Sequence, residues 1–204
     1  MGDGTLFLNL SDNLCIDHIS ATTSTLIVQV VSMPAVSCCP LCGQASDQVH
    51  SRYQRVVTDV PCGNRSVRLH LQVRKFFCRT STCPRKIFTE RLPELVQPSA
   101  RMTNRLRLAL EELGLATGGE GGVRLAPKLG MPVKRSTLLR RVRAVAVPEV
   151  STVRVLGIDD WAFKRGQHYG TIQVDLEQHR VIDLLADRSK ELPGSGCNAI
   201  LKSR

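Results

Sequence analysis

Val67, Leu69, Leu71 and Val73 alternate with Arg68, His70, Gln72 and Arg74. A period of two puts the apolar set on one face and the polar set on the other, the pattern of a half-buried strand. Gly63-Asn64 supplies a two-residue turn just before it, and Val56-Val57-Thr58-Asp59-Val60-Pro61 leads into that turn. Residues 56–74 therefore read as a β-hairpin. Thr25-Leu26-Ile27-Val28-Gln29-Val30-Val31 is β-branched and mostly apolar, which suits another strand. Leu6-Phe7-Leu8-Asn9-Leu10 reads as a further short one. Residues 1–36 are expected to form a small sheet that packs on the hairpin and carries no chemistry.

The period changes after residue 98. Met102, Leu106, Ala109, Leu110, Leu113 and Leu115 recur near helical spacing. Thr117-Gly118-Gly119-Glu120-Gly121-Gly122 is expected to break the chain. Val123 to Gly130 reads as a short helix stopped by Gly130, with Pro127 awkward inside it. Met131-Pro132-Val133-Lys134 is a turn. From Arg135 or Ser136 to Arg143 runs a basic helix with Leu138, Leu139 and Val142 on one side. Beyond Pro148, Val153 to Ile158 reads as a buried strand ending in Asp159-Asp160. Two further strands follow, over His168–Leu176 and Arg180–Leu185.

Cysteine spacing changes this picture. Cys39-Pro40-Leu41-Cys42 and Cys78-Arg79-Thr80-Ser81-Thr82-Cys83 are two pairs that flank the hairpin. Each pair can bend two thiolates toward one centre, and tetrahedral zinc takes four such ligands. Gly43 allows a tight turn beneath a metal. Cys39, Cys42, Cys78 and Cys83 are the expected site of a structural Zn2+, and residues 37–95 are its module. Unrelated buried thiols or two disulfides are the alternatives. His50 and His70 are substitute ligands on paper, although His70 falls on the polar face of its strand. Cys38 and Cys62 are bystanders. In the tail of the module, Arg85-Lys86-Ile87-Phe88-Thr89-Glu90-Arg91 sets basic residues beside an aromatic. Phe76, Phe77 and Phe88 are expected to form the module's small core rather than to meet a ligand.

Charge adds direction. The formal net charge of +10 is concentrated in residues 51–150, which hold 20 Lys and Arg against seven acids. The first 50 residues have four acids and no Lys or Arg. A basic middle of this kind is an electrostatic footprint for a polyanion. It coincides with a short helix, a Gly-containing turn and a basic helix, the order of a helix-turn-helix over residues 96–148. Arg135, Ser136 and Thr137 would face base edges in a major groove, Arg140, Arg141 and Arg143 would meet phosphates, and Lys134 is a further DNA-binding candidate. An ordinary amphipathic helical hairpin is the plainer alternative. No apolar run is long enough for a transmembrane helix. The N-terminus lacks a basic secretory leader, and eight cysteines at zinc spacing suit a reducing cytoplasm.

Three stretches in order are similar to the bacterial insertion-sequence transposases of the ISL-three family. They are CCPLCGQASDQVHSRYQRVVTDVPCG, VRLHLQVRKFFCRTSTCPRKIFTER and LGIDDWAFKRGQHYGTIQVDLEQHRVIDLLADRS, with GVRLAPKLGMPVKRSTLLR resembling the family's helix-turn-helix. The resemblance implies an α+β, multi-domain chain. Its parts would be a zinc-ribbon-like β module, a helix-turn-helix, and an incomplete RNase H-like α/β domain at residues 149–190. It makes Asp159 the first catalytic carboxylate of a DDE site, with Asp160 as a neighbour. Such a site holds two Mg2+ ions between three acids, and the other two acids are not found here. Residues 191–204 do not resemble the family's continuation, as a frameshift or premature stop would leave them. The expected function is therefore that of a truncated transposase, catalytically inactive alone, that binds double-stranded transposon-end DNA. A homo-oligomer is compatible with this, and a membrane partner is not expected. The alternative is a zinc-ribbon helix-turn-helix regulator without enzymatic activity.

Overall fold

The computed structural model describes residues 8, 10–146, 153–164, 166 and 168–186. It divides into two compact units between Val145 and Ala146.

The first unit is built on the hairpin. Strands β5 (Val49–Cys62) and β6 (Arg65–Phe77) pair antiparallel, and Gly63 and Asn64 turn between them at φ 54° and 60°. Two positive φ values give the turn whose twist matches the strands. Asn tolerates that conformation and Ala does not, because a Cβ meets the following carbonyl at a cost of about 1–2 kcal/mol. Replacing Asn64 with Ala is expected to lower stability by about 1 kcal/mol in denaturant unfolding, with Asn64→Gly leaving it unchanged.

Strand β6 is central. On its other side lie β2 (Thr25–Ser32), which runs parallel to it, and β7 (Ile87–Thr89). Strand β1 (Leu14–Ala21) closes that edge against β2. The N-terminal strands thus do not form a separate sheet packed on the hairpin. They extend the same sheet edge to edge, because β2 offers its backbone to β6 at Thr25–Val31. Strand β1 is half-polar and carried no clear signal in the sequence. The expected strand at Leu6–Leu10 lies largely outside the described residues, and Leu8, which is described, is helical and buried.

The alternation in β6 is realised as read. Val67, Leu69, Leu71 and Val73 are at most 2% exposed. They join Val28, Val30 and Val57 in one core, covered by Leu8, Leu14, Leu95 and Val96. The outer face is polar, as in a sheet with one wetted side.

Helix α1 (Asn104–Leu125) starts at Thr103, whose hydroxyl accepts from the Leu106 N–H at 3.2 Å. Leu106 and Leu110 are buried with Ala126 and Leu138. The glycine-rich stretch interrupts the helix only at Gly118 (φ 71°, ψ 169°), and the helix resumes at once. The other glycines serve contact. A Cβ on Gly114, Gly119 or Gly122 would stand 2.5–2.6 Å from Val142, Leu139 or Leu138. These are the apolar positions of helix α2 (Arg135–Val142), which settles onto the bare backbone of α1. The composition that read as a break is a close-packing surface. Between the helices, Ala126–Leu129 is a 3-10 turn that takes Pro127 at its start, where a missing N–H costs nothing. Gly130 caps it in the left-handed conformation at φ 74°, as its position suggested.

The second unit is described as three antiparallel strands in the order β10-β9-β8: β8 (Leu156–Lys164), β9 (His168–Asp175) and β10 (Arg180–Leu185). Strand β8 is not the buried strand expected, since Ile158 is 52% exposed. Its two acids lie within the strand rather than at its end, paired across to Ile172 and Thr171. The pairing extends to Lys164 because the chain after Asp160 keeps its partner in β9.

Candidate metal centre

The cysteine pairs converge because the sheet brings their two loops to one end. Cys39 follows the two-residue strand β3 (Ser37–Cys38), which pairs with β4 (Ala45–Ser46). The loop between them is cinched by Cys39 N–H donating to the Gln44 carbonyl at 2.9 Å and Gly43 N–H donating to the Cys39 carbonyl at 2.8 Å. Gly43 sits at φ 75°, the turn its position required. Cys78 leaves the end of β6, and its N–H donates to the Lys86 carbonyl at 2.8 Å. Lys86 Nζ in turn donates to the Cys83 carbonyl at 3.0 Å.

The four sulfur atoms lie within 4.8 Å of one another. Cys42 Sγ and Cys78 Sγ are 3.6 Å apart. Four thiolates around zinc at about 2.3 Å place their sulfurs roughly 3.8 Å from each other, so the cluster needs little adjustment to close on an ion. Cys39, Cys78 and Cys83 are buried and Cys42 is exposed. Behind them Phe76 and Phe88 stack at 5.8 Å and are buried, the core role expected of them. Phe77 stands apart, edge-on to His50 at 4.9 Å.

Two thiols are already unequal. The Cys42 thiol is lowered to about 6, first by the backbone N–H of Gln44 and then by the Thr80 hydroxyl. Burial pushes the Cys83 thiol up to about 11. At neutral pH the exposed cysteine is a ready thiolate, whereas Cys83 must shed a proton on loading, so acid competes with the metal. His50 bonds Ser51 at 2.9 Å, and neither it nor His70, Cys38 or Cys62 joins the cluster.

Comparison with known proteins now bears on this centre. The zinc-finger of transposase IS204/IS1001/IS1096/IS1165 matches residues 35–83, which contain all four cysteines. The transposase for insertion sequence element IS1001 of Bordetella parapertussis is 30% identical over 168 residues, covering 82% of this chain and 40% of that protein. The chain belongs to the ISL-three family of insertion-sequence transposases. Its zinc ribbon and four-cysteine cluster make Zn2+ its structural cofactor. The chain spans about 40% of the length of the curated relative it matches. No solved structure matches it.

The other expected site residues fall in two places. Lys134 is the extended residue that opens α2. Arg135, Ser136, Arg140 and Arg143 are exposed, and Thr137 is half-buried. Arg141 turns partly inward, with its Nε buried and without a hydrogen-bond partner among the described residues. Arg135 meets Glu120 at 3.5 Å, both well exposed. In the second unit Asp159 and Asp160 are exposed in β8. The Asp159 carboxylate accepts the Asp160 N–H at 2.7 Å. Among the described residues, the four cysteines are the one group of three or more metal-capable side chains. Asp175 is buried and accepts the N–H groups of Glu177 and Gln178 at 2.9 and 3.0 Å, shaping the turn after β9.

Proposed function

We propose that this chain is the DNA-binding portion of an insertion-sequence transposase and that it recognises the ends of its element as a duplex. Cys39, Cys42, Cys78 and Cys83 hold zinc and fix the ribbon. The short helix after Gly118, the turn at Gly130–Lys134 and α2 act as a helix-turn-helix. The observation that carries this reading is the face of α2. Leu138 is 0% exposed against α1, while Ser136, Arg140 and Arg143 stand in solvent on the opposite side and Arg135 is exposed beside the packed face, next to Glu120. A helix pinned this way presents its N-terminal residues to base edges and its later arginines to phosphates. The Arg135–Glu120 pair is surface-exposed and worth little, so Arg135 is free to exchange it for DNA.

Strands β8 to β10 are proposed as the opening of an RNase H-like domain, with Asp159 as the first DDE carboxylate. One carboxylate cannot hold two Mg2+ ions in catalytic geometry. The chain alone is therefore expected to bind ends without joining them, and Mg2+-dependent nicking by the purified chain would overturn that part.

Selection of duplexes from a randomised pool by the zinc-loaded chain tests the binding reading. Recovery of a defined motif supports it, and recovery of DNA without any motif leaves only charge. Arg140→Ala with Arg143→Ala is expected to reduce the log–log salt slope of binding by about two units, one per phosphate contact. An unchanged slope removes these two from the interface.

A further inference from the structure

Arg55, Arg85 and Arg91 line one groove of about 620 Å3, set between Tyr53 and Arg55 of β5, the strand β7 and the chain from Arg91 to Ser99. The groove has one acidic lining residue, Glu90. That carboxylate is spent: it meets Arg74 at 2.7 Å and its side chain is 3% exposed. Arg55 is held in place without being neutralised, its guanidinium donating to the Gln97 and Ala100 carbonyls. Arg85 and Arg91 are exposed and form no ion pair among the described residues. Lys75 lies close by, its Nζ 5.4 Å over the ring of Tyr53, which lines the groove.

Folding does not ask for this arrangement. Arg55 ties down a loop, but the side chains of Arg85 and Arg91 form no hydrogen bond or ion pair among the described residues, and gathering like charges around one trough is unfavourable until a counter-charge arrives. The remaining lining groups include the hydroxyls of Thr89 and Ser99 and the amide of Gln97, which suit phosphate oxygens. The trough lies in the segment where Lys and Arg outnumber acids 20 to seven. We infer that the groove grips the phosphodiester backbone of duplex DNA, a contact made by the zinc module in addition to helix α2. This rests on the DNA-binding reading above and assigns a role to the basic run at Arg85–Arg91. The zinc then has a functional consequence. Arg85 lies two residues beyond Cys83 and β7 follows directly, so the metal fixes the wall of the groove.

The test compares Arg85→Ala/Arg91→Ala with the parent chain, zinc-loaded, on a labelled random-sequence duplex across a salt series. The expected result is a salt slope lower by about two units, with zinc content retained and the loss equal on all sequences. An unchanged slope with zinc retained overturns the proposal. Should the variant lose zinc, arginine modification of the parent chain by phenylglyoxal gives the answer. Arg85 and Arg91 are expected to be protected by duplex, and equal modification with and without DNA overturns the proposal. The α2 variants separate the two readings. A slope lowered by Arg140→Ala/Arg143→Ala but not by the groove pair sinks the groove alone. A parent chain that binds no duplex sinks both.

Discussion

Cys42→Ser is expected to release the zinc and to unfold one end of the sheet while leaving the other end folded. The metal end has little else to hold it. Its strands β3 and β4 are two residues each, and its apolar core is Phe76, Phe88 and the cysteines themselves, with Val49 beside them. Structural zinc contributes on the order of 10 kcal/mol to such modules, which rivals the whole stability of an ordinary domain. The far end has its own core of Val28, Val30, Val57, Val67, Leu69 and Leu71, none more than 2% exposed, and this cluster is separate from that of the cysteines. Hydrogen exchange then reads the result by segment. Amides of residues 37–48 and 78–89 lose protection, and those of β2 and the Val67–Leu71 part of β6 keep it. Cys38→Ser is the matched control, because Cys38 is exposed and outside the cluster. The zinc assignment fails if Cys42→Ser keeps its metal, or if residues 37–48 stay protected without it.

The residues that made the zinc centre legible share a property: their geometry is local. Cys-x2-Cys and Cys-x4-Cys each bend within one loop, and the hairpin that joins the loops has a period of two and a Gly-Asn turn. What the sequence did not disclose depends on contacts distant along the chain. Parallel pairing of β2 with β6 links residues some 40 positions apart, and no local pattern announces it. The glycines at 114, 119 and 122 carry the composition of a linker, and only the arrival of Leu138, Leu139 and Val142 turns them into a packing face. The Arg85–Arg91 run read as a basic tail. It becomes a groove wall only when β7 pairs with Lys75–Phe77, across β6 from the Tyr53 and Arg55 of β5 that line the same groove. The acids of the strand over Leu156–Lys164 look like an ending in the sequence, although they sit in the ladder opposite Ile172 and Thr171 and the strand continues past them.

Asp59→Ala is expected to lower the stability of the first unit by about 3 kcal/mol, read from denaturant unfolding of the zinc-loaded chain. The carboxylate is fully buried and joins the hairpin to the start of α1. Its Oδ1 accepts from Thr103 Oγ1 at 2.6 Å, Arg105 Nε at 2.7 Å and the Val60 N–H at 2.9 Å, and its Oδ2 accepts from Arg105 Nη2. Thr103 is at once the N-cap of the helix, so the acid fixes the cap that starts it. Arg105 also reaches the Leu8 carbonyl at 2.5 Å. Removing one partner of a buried pair costs about 3–5 kcal/mol, because the other charge is left without compensation. The Arg105 side chain is 30% exposed, so water recovers part of that loss and the lower figure applies. If the penalty arises from the stranded guanidinium, Asp59→Ala/Arg105→Met should recover much of it. Arg135→Ala provides the contrast, since its pair with Glu120 is exposed on both sides and should be worth less than about 0.5 kcal/mol. A loss below about 1 kcal/mol for Asp59→Ala would mean that the helix docks on the sheet through its apolar residues alone. The arginine beside the cap, counted in the sequence as part of the basic surface, would then be available to DNA after all.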